Sequence, residues 1–391
     1  MKNILKSFMT TCLLVSMTMT GVAQKDYSQS EGLLKYVDPY IGSGFHGHVF
    51  VGSSVPYGMV QVGPNNIHKG WDWCSGYHYS DSILIGFSHT HLNGTGCADL
   101  GDIMIMPMNE IRTERGEQED IINGYASRYS HNTETARPEY YSVMVERYNI
   151  KAEMTATNRV GFHRYTYPKG KPASILVNLS EGNADRKAVW CYARKIDDYT
   201  IEGYRYSHYW SPNRKVYFTL KADQKIEDFT VYDGNVAKSK EQWHTPFLKA
   251  ALTFGNVEQV QIKVALSPVS CENAAMNLKA ELDHWEFDKV VKASANSWNE
   301  QLQKIVVEGK SEADKRIFYT AHYHTMITPS TYCDVNGEYR GMDDMIYTSP
   351  TKENYTTLSL WDTYRTLQPL MTLTQPERVP GIVNSMLSIY H

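Results

Sequence analysis

Val160-Gly161-Phe162-His163-Arg164-Tyr165 alternates with a period of two, and one of its two faces is apolar or aromatic. A period of two belongs to a strand, whose side chains point alternately to opposite faces of a sheet. Working outward, the chain from Tyr36 to about Leu266 is a succession of such short apolar or alternating runs, broken by Gly, Pro, Asn and Asp. Tyr57 to Val62, Ile83 to Phe87, Ile103 to Met108, Tyr141 to Val145, Ile175 to Leu179, Val216 to Leu220 and Gln259 to Leu266 are the clearest. Many strands at close spacing, with almost no helical period between them, predict an antiparallel β-sandwich.

The pattern changes after Ser270. Leu278, Leu282, Trp285, Val291, Ala295, Trp298, Leu302 and Ile305 recur mostly at three- and four-residue steps. That places them on one face of one long helix or of two joined helices, with Ser270 as N-cap and Gly309 just past the end. Ser311, with Asp314 three residues on, announces a further helix that stops before Pro329. Asn336-Gly337, between Tyr332 and Tyr339, is a hairpin signal. Helical spacing returns at Leu358, Trp361, Tyr364, Leu367 and Leu370, with a kink expected at Pro369, and again from Pro376 to Leu387. At 391 residues the chain exceeds the roughly 250 to 300 over which one core keeps growing. The expected division is a signal segment (1–23), a β-sandwich (24–269), a helical linker (270–310) and a helical domain (311–391) whose few helices look unfinished.

Charge is nearly balanced, 39 basic against 43 acidic residues, and no basic stripe appears, so nucleic acid is excluded as a partner. Met1 to Ala23 reads as a secretory signal: Lys2 and Lys6, an apolar stretch from Phe8 to Met19, then small residues at Gly21 and Ala23. No stretch reaches the roughly 20 apolar residues of a spanning helix. The expected location is therefore periplasmic or secreted. Cys74, Cys97, Cys191, Cys271 and Cys333 show no metal-type spacing and read as small core residues or one optional disulfide.

The composition is rich in aromatic residues, with 28 Tyr and 8 Trp. They concentrate in Trp71-Asp72-Trp73-Cys74-Ser75-Gly76-Tyr77-His78-Tyr79, followed by Gly86-Phe87-Ser88-His89-Thr90-His91. Neither segment has helical or strand period throughout. Trp71, Asp72, Trp73 and His78 combine flat apolar faces with polar groups, which suits a pyranose: its axial hydrogens stack on indole while its hydroxyls need carboxylate and imidazole partners. A buried aromatic corner of the sandwich is the other reading. Leu360-Trp361-Asp362-Thr363-Tyr364-Arg365 is a second candidate, since Asp362 and Arg365 stand three apart at a helix start and can pair or share a polar ligand.

Other patterns carry less. Gly42-Ser43-Gly44-Phe45-His46-Gly47 matches G-x-G-x-x-G but lacks the flanking strand and helix of a dinucleotide site, so it reads as a glycine-permitted turn. The His-x-His pairs His46/His48, His89/His91 and His322/His324 could in principle supply zinc ligands. With no compact carboxylate beside them, they read first as hydrogen-bonded structural or substrate contacts.

Taken together, the chain resembles the exo-acting α-mannosidases of glycoside hydrolase family 92, calcium-dependent inverting enzymes frequent in gut Bacteroidetes. The matching stretches include Tyr36-Val37-Asp38-Pro39, Val55-Pro56-Tyr57-Gly58-Met59-Val60-Gln61, Ser75-Gly76-Tyr77-His78-Tyr79, Gly86-Phe87-Ser88-His89-Thr90-His91, Asp99-Leu100-Gly101-Asp102, Ser359-Leu360-Trp361-Asp362-Thr363-Tyr364-Arg365 and Gln375-Pro376-Glu377-Arg378. The resemblance implies an N-terminal β-sandwich, a helical linker and the start of an (α/α)6 barrel, with the site between the domains and a mannose-containing glycan as partner. It implies that Trp71 stacks on sugar with Trp73, Asp72, His46 and His89 behind it, and that Asp362 hydrogen-bonds the terminal mannose. Inverting hydrolysis needs an acid and a base with carboxyls roughly 6.5 to 9.5 Å apart. In the family these groups, and most calcium ligands, lie in later Asn-Glu-Pro and Gly-Asn-Asp motifs. Neither occurs here, and Gly341-Met342-Asp343-Asp344 is no substitute. The expectation is hydrolysis of terminal α-1,2-mannosidic bonds by a chain that lacks its catalytic pair. A non-catalytic glycan-binding protein using the same aromatic loop is the alternative.

Overall fold

A computed structural model describes residues 30–117 and 120–390; the signal segment lies outside them. Two nine-stranded antiparallel sheets pack face to face. Across the first, the order is Ser53–Ser54, Gln61–Asn66, Ile83–Ser88, Met104–Met108, Ser174–Asn178, Leu248–Thr253, Asp228–Asp233 and Val236–Ser239, with Ser127–Arg128 beside Ile83–Ser88. The second runs Gln242–His244, Trp190–Lys195, Thr200–Ser207, Arg214–Ala222, Gln259–Ser267, Val160–Thr166, Ile150–Ala156, Tyr140–Val145 and Thr135–Arg137. Between them lies a core that includes Phe87, Ile105, Tyr141, Met154, Tyr165, Leu176, Phe218 and Ile262.

The Val160–Thr166 strand is covered on both faces. Tyr165 points into the core between the sheets, while Val160 and Phe162 face outward under two helices, α1 (Cys271–Glu281) and α2 (Phe287–Leu302). Phe162 meets Phe287 at 5.2 Å between ring centroids, and Leu278, Leu282 and Val290 complete that layer. α1 is capped by Ser270, whose hydroxyl accepts from the Asn273 N–H at 3.1 Å. The helical stretch is two helices, not one: α1 stops at Leu282, whose φ of -148° is not helical. α2 ends at Leu302, well before Gly309, because the following Ile305-Val306-Val307 run is β-branched and favours extended backbone.

α3 (Glu312–His324) begins as expected, with the Ser311 hydroxyl accepting from the Asp314 N–H at 3.1 Å. Asn336-Gly337 does not join paired strands. It closes a tight turn, Gly337 N–H to Asp334 C=O at 2.8 Å, that leads into Glu338–Arg340, and this strand pairs with Ile346–Thr348. Three helices follow: α4 (Leu360–Thr363), α5 (Leu367–Thr374) and α6 (Val379–Tyr390). Pro369 sits in the first turn of α5, where its missing N–H has no intrahelical partner to lose, so the break falls at Thr366 and not at the proline. Trp361, Leu373, Leu387 and Ile389 on these helices, and Tyr364 just after α4, are exposed. None of the described helices is long and apolar enough to cross a membrane.

Helices and sandwich interlock along one seam. Trp298 is fully buried there and donates its indole N–H to the Ser54 C=O at 2.7 Å. Truncating a ring so enclosed costs about 3–5 kcal/mol. Tyr57 N–H donates to Met326 C=O at 2.8 Å, Thr331 N–H donates to Tyr57 C=O at 2.9 Å, and the Gln61 amide donates to the Ile327 C=O at 3.0 Å. These contacts hold the 330–332 and 355–357 segments against the sandwich and so define the cleft described below.

Candidate functional site

The loop joining Gln61–Asn66 to Ile83–Ser88 makes a single 3-10 turn at Trp71–Trp73, entered through Gly70 at a φ of 133° that favours glycine. Trp71 is 56% exposed, yet its orientation is fixed. Its indole N–H donates to the Gly96 C=O at 2.8 Å, the His48 ring meets it edge-on at 4.3 Å and the His46 ring lies at 5.4 Å. A Cβ on residue 96 would stand 2.7 Å from the Trp71 ring, so glycine there permits the close approach. His46 Nδ1 donates to Asp72 Oδ1 at 2.6 Å, and His48 Nε2 lies 3.4 Å from the same oxygen. The His46 hydrogen bond holds the Asp72 carboxyl below its usual range. An exposed indole face thus stands beside a carboxylate and an imidazole, the combination that a sugar's apolar face and hydroxyls require.

Trp73 turns the other way. It stacks on His78 at 4.2 Å and donates to Asp81 Oδ2 at 2.7 Å, an oxygen that Lys69 also pairs at 3.0 Å, so this ring braces the loop from behind.

His89 stands apart from the Trp71 group, enclosed in the sandwich with no exposed surface. Its Nδ1 bonds the Ile103 C=O at 2.7 Å, which requires the proton on that nitrogen, and leaves Nε2 as an acceptor. His163 Nε2, 2.9 Å away, must then donate to it, and His163 Nδ1 accepts the Tyr165 hydroxyl at 2.9 Å. Every ring nitrogen is used and both rings are neutral. Burial drives this, pulling His89 down to about 4 and His163 well below its ordinary value.

Asp362 and Arg365 lie at and just beyond α4, both exposed. Asp362 takes the Ser359 hydroxyl at the start of that helix.

A small cleft of about 40 Å³ opens along the seam, lined from the sandwich by Gln61, His91, Arg214 and Lys215 and from the helical side by Tyr332 and Thr357. Its floor rests on a fully buried carboxylate. Asp102 accepts from Thr90 Oγ1 at 2.7 Å, Arg205 Nη1 at 2.8 Å and Arg214 Nε at 2.9 Å. Burial alone would raise its pKa, but Arg214 and Arg205 outweigh that and hold it at about 2. Gln61, His91 and Asp102 stand within motifs visible in the sequence, but nothing local assigns them to a cleft, and no local signal marks Arg214. Only the hairpin carrying Arg214, folded back onto the 99–102 segment, brings them together. No carboxylate lines this cleft.

Calcium, which the resemblance implies, takes six to eight oxygen ligands. Among the described residues no three His, Cys, Asp or Glu side chains converge as metal ligands do. His46 and His48 turn their ring nitrogens toward Asp72, not toward a shared vacant point. The donor set of the described residues does not fit the ion.

Residues 36–267 match the glycosyl hydrolase family 92 N-terminal domain, and residues 273–391 match the family 92 catalytic domain. The chain belongs to glycosyl hydrolase family 92. A family 92 α-mannosidase of Bacteroides thetaiotaomicron, solved in complex with mannoimidazole, superposes with a TM-score of 0.88 at 36% identity, over 92% of this chain and 48% of its own. An inverting family 92 mannosidase from the VPI-5482 strain of the same organism shares the fold, with a TM-score of 0.80 at 24% identity over 94% of this chain and 49% of its own. A protein of Arthroderma benhamiae described as an uncharacterized secreted glycosidase is 27% identical over 354 residues, covering 82% of this chain and 45% of that protein. The chain spans about half the length of these family 92 relatives.

Proposed function

We propose that this chain forms the sugar-holding wall of an exported α-mannosidase that hydrolyses terminal, non-reducing α-1,2-mannosidic bonds with inversion. The observation that carries this reading is the Trp71 platform, an exposed indole fixed by Gly96 and His48 beside the His46–Asp72 pair. Family membership, and the mannoimidazole complex of a family 92 relative, support mannose as the sugar. Asp362 is the second contact, offering a carboxylate from the helical side. Export is supported by the secreted description of the fungal relative. On this reading the described residues do not supply the acid and base of an inverting mechanism. The cleft on the seam has no carboxylate, and a pair set roughly 6.5 to 9.5 Å apart about a sugar is needed.

The test is to mix the full chain with α-1,2-mannobiose and follow heat of binding and released mannose together. Binding without release is expected. Steady release would overturn the placing of the acid and base outside this chain, and absence of binding would overturn the reading of the wall itself.

A further inference from the structure

A second exposed tryptophan stands on a hairpin tied to the segment that fixes Trp71. Trp210, 73% exposed, sits at the tip of the hairpin that joins Thr200–Ser207 to Arg214–Ala222. The residues on either side of Trp210 tie the tip down. Ser211 N–H donates to Asp99 Oδ2 at 3.1 Å, the Tyr209 hydroxyl accepts from the Lys187 N–H at 3.3 Å, and the Arg186 guanidinium covers the Tyr209 ring at 4.3 Å. His208 Nδ1 donates to the Pro212 C=O across the turn. The stem of the hairpin supplies Arg214 and Lys215 to the cleft lining.

The segment that holds Trp210 also holds Trp71. Gly96 accepts the Trp71 indole N–H, and Asp99, three residues on, accepts from the neighbour of Trp210. Three residues span at most about 10 Å, so the two anchors are close. Leu100, next in the chain, lines the cleft, and Asp102 fixes Arg214 at the hairpin's base. One short segment therefore sets both tryptophans relative to the cleft.

We infer that Trp210 is a second stacking platform, for a pyranose one or more units away from the sugar at Trp71. The site then selects oligosaccharides over single sugars. This rests on the mannoside reading above. The reason is chemical: an indole that is 73% exposed offers a flat apolar surface, and the apolar face of a pyranose matches it.

The experiment compares the full chain with its Trp210→Ala and Trp210→Phe variants by calorimetric titration with methyl α-mannopyranoside and with α-1,2-mannotriose. Far-UV circular dichroism checks that each variant is folded. The wild type is expected to favour the trisaccharide, and Trp210→Ala to lower that preference roughly 3- to 10-fold, with Trp210→Phe retaining most of it. An unchanged preference in Trp210→Ala overturns the inference while leaving the mannoside reading intact. A wild type that binds neither probe overturns the mannoside reading, and Trp210 with it.

Discussion

His46 and His89 occupy the same kind of sequence, a His-x-His pair among glycines, and end in opposite surroundings. His46 is an exposed ring whose single strong partner is the Asp72 carboxylate. His89 is sealed within the sandwich, its two nitrogens spent on Ile103 and His163. The pattern alone does not separate a rim from an interior. What separates them is the partner each ring finds: burial holds His89 neutral, with both nitrogens bonded inside the protein, whereas exposed His46 gives its donor to a carboxylate.

The sharpest break of this contrast lies with the two carboxylates. Asp102→Ala strips Arg205 and Arg214 of a common buried partner and is expected to cost about 3–5 kcal/mol in urea unfolding. Asp72→Asn, on the exposed rim, should leave the unfolding midpoint where it is. Equal effects in the two variants would erase the distinction between seam and rim.

Acid sharpens it further. The folded-state pKa of His89 is about 4, and those of His91 and His324 are also about 4, all lowered by burial from an ordinary 6.5. Below pH 6.5 the unfolded chain therefore binds protons before the folded one, and stability is lost as pH falls from 6.5 to 4, by about 3 kcal/mol for a single such histidine. Asp102 adds a lower stage: its folded value of about 2 lies under the ordinary 3.8, so its contribution is present above 3.8 and is lost as pH falls through 2. His131 works the other way, since Glu134 raises it, and its contribution is lost as pH rises through its folded value. Thermal midpoints measured across this range should decline toward acid, and His163→Phe should flatten the stage between 6.5 and 4. A decline unaltered by that variant would contradict the histidine account.

Much of the sandwich was legible because strands announce themselves locally. Ile83 to Phe87 and Gln259 to Leu266 were each expected within one residue of their observed ends. The double burial of Val160 and Phe162 was not legible, because the helices that roof them lie more than 100 residues later. The same holds for the cleft, assembled from Gln61, His91, Arg214 and Thr357, positions far apart in the chain. At the rim, the mixture of residues around Trp71 pointed to a site. That Trp73 faces away from it depends on Asp81 and His78, whose positions no local pattern encodes. Two expectations failed for different reasons: Pro369 lies in the first turn of α5, after the break at Thr366, and Asn336-Gly337 closes a turn that precedes the paired strands instead of joining them.

The central claim, that Trp71 is the stacking face of a mannoside site, is tested most directly by titrating the full chain and its Trp71→Ala variant with methyl α-mannopyranoside. The account predicts a binding loss of about 1–3 kcal/mol, the scale of covering one large apolar side chain, with little change in the unfolding midpoint. Equal affinity in the two proteins would contradict it.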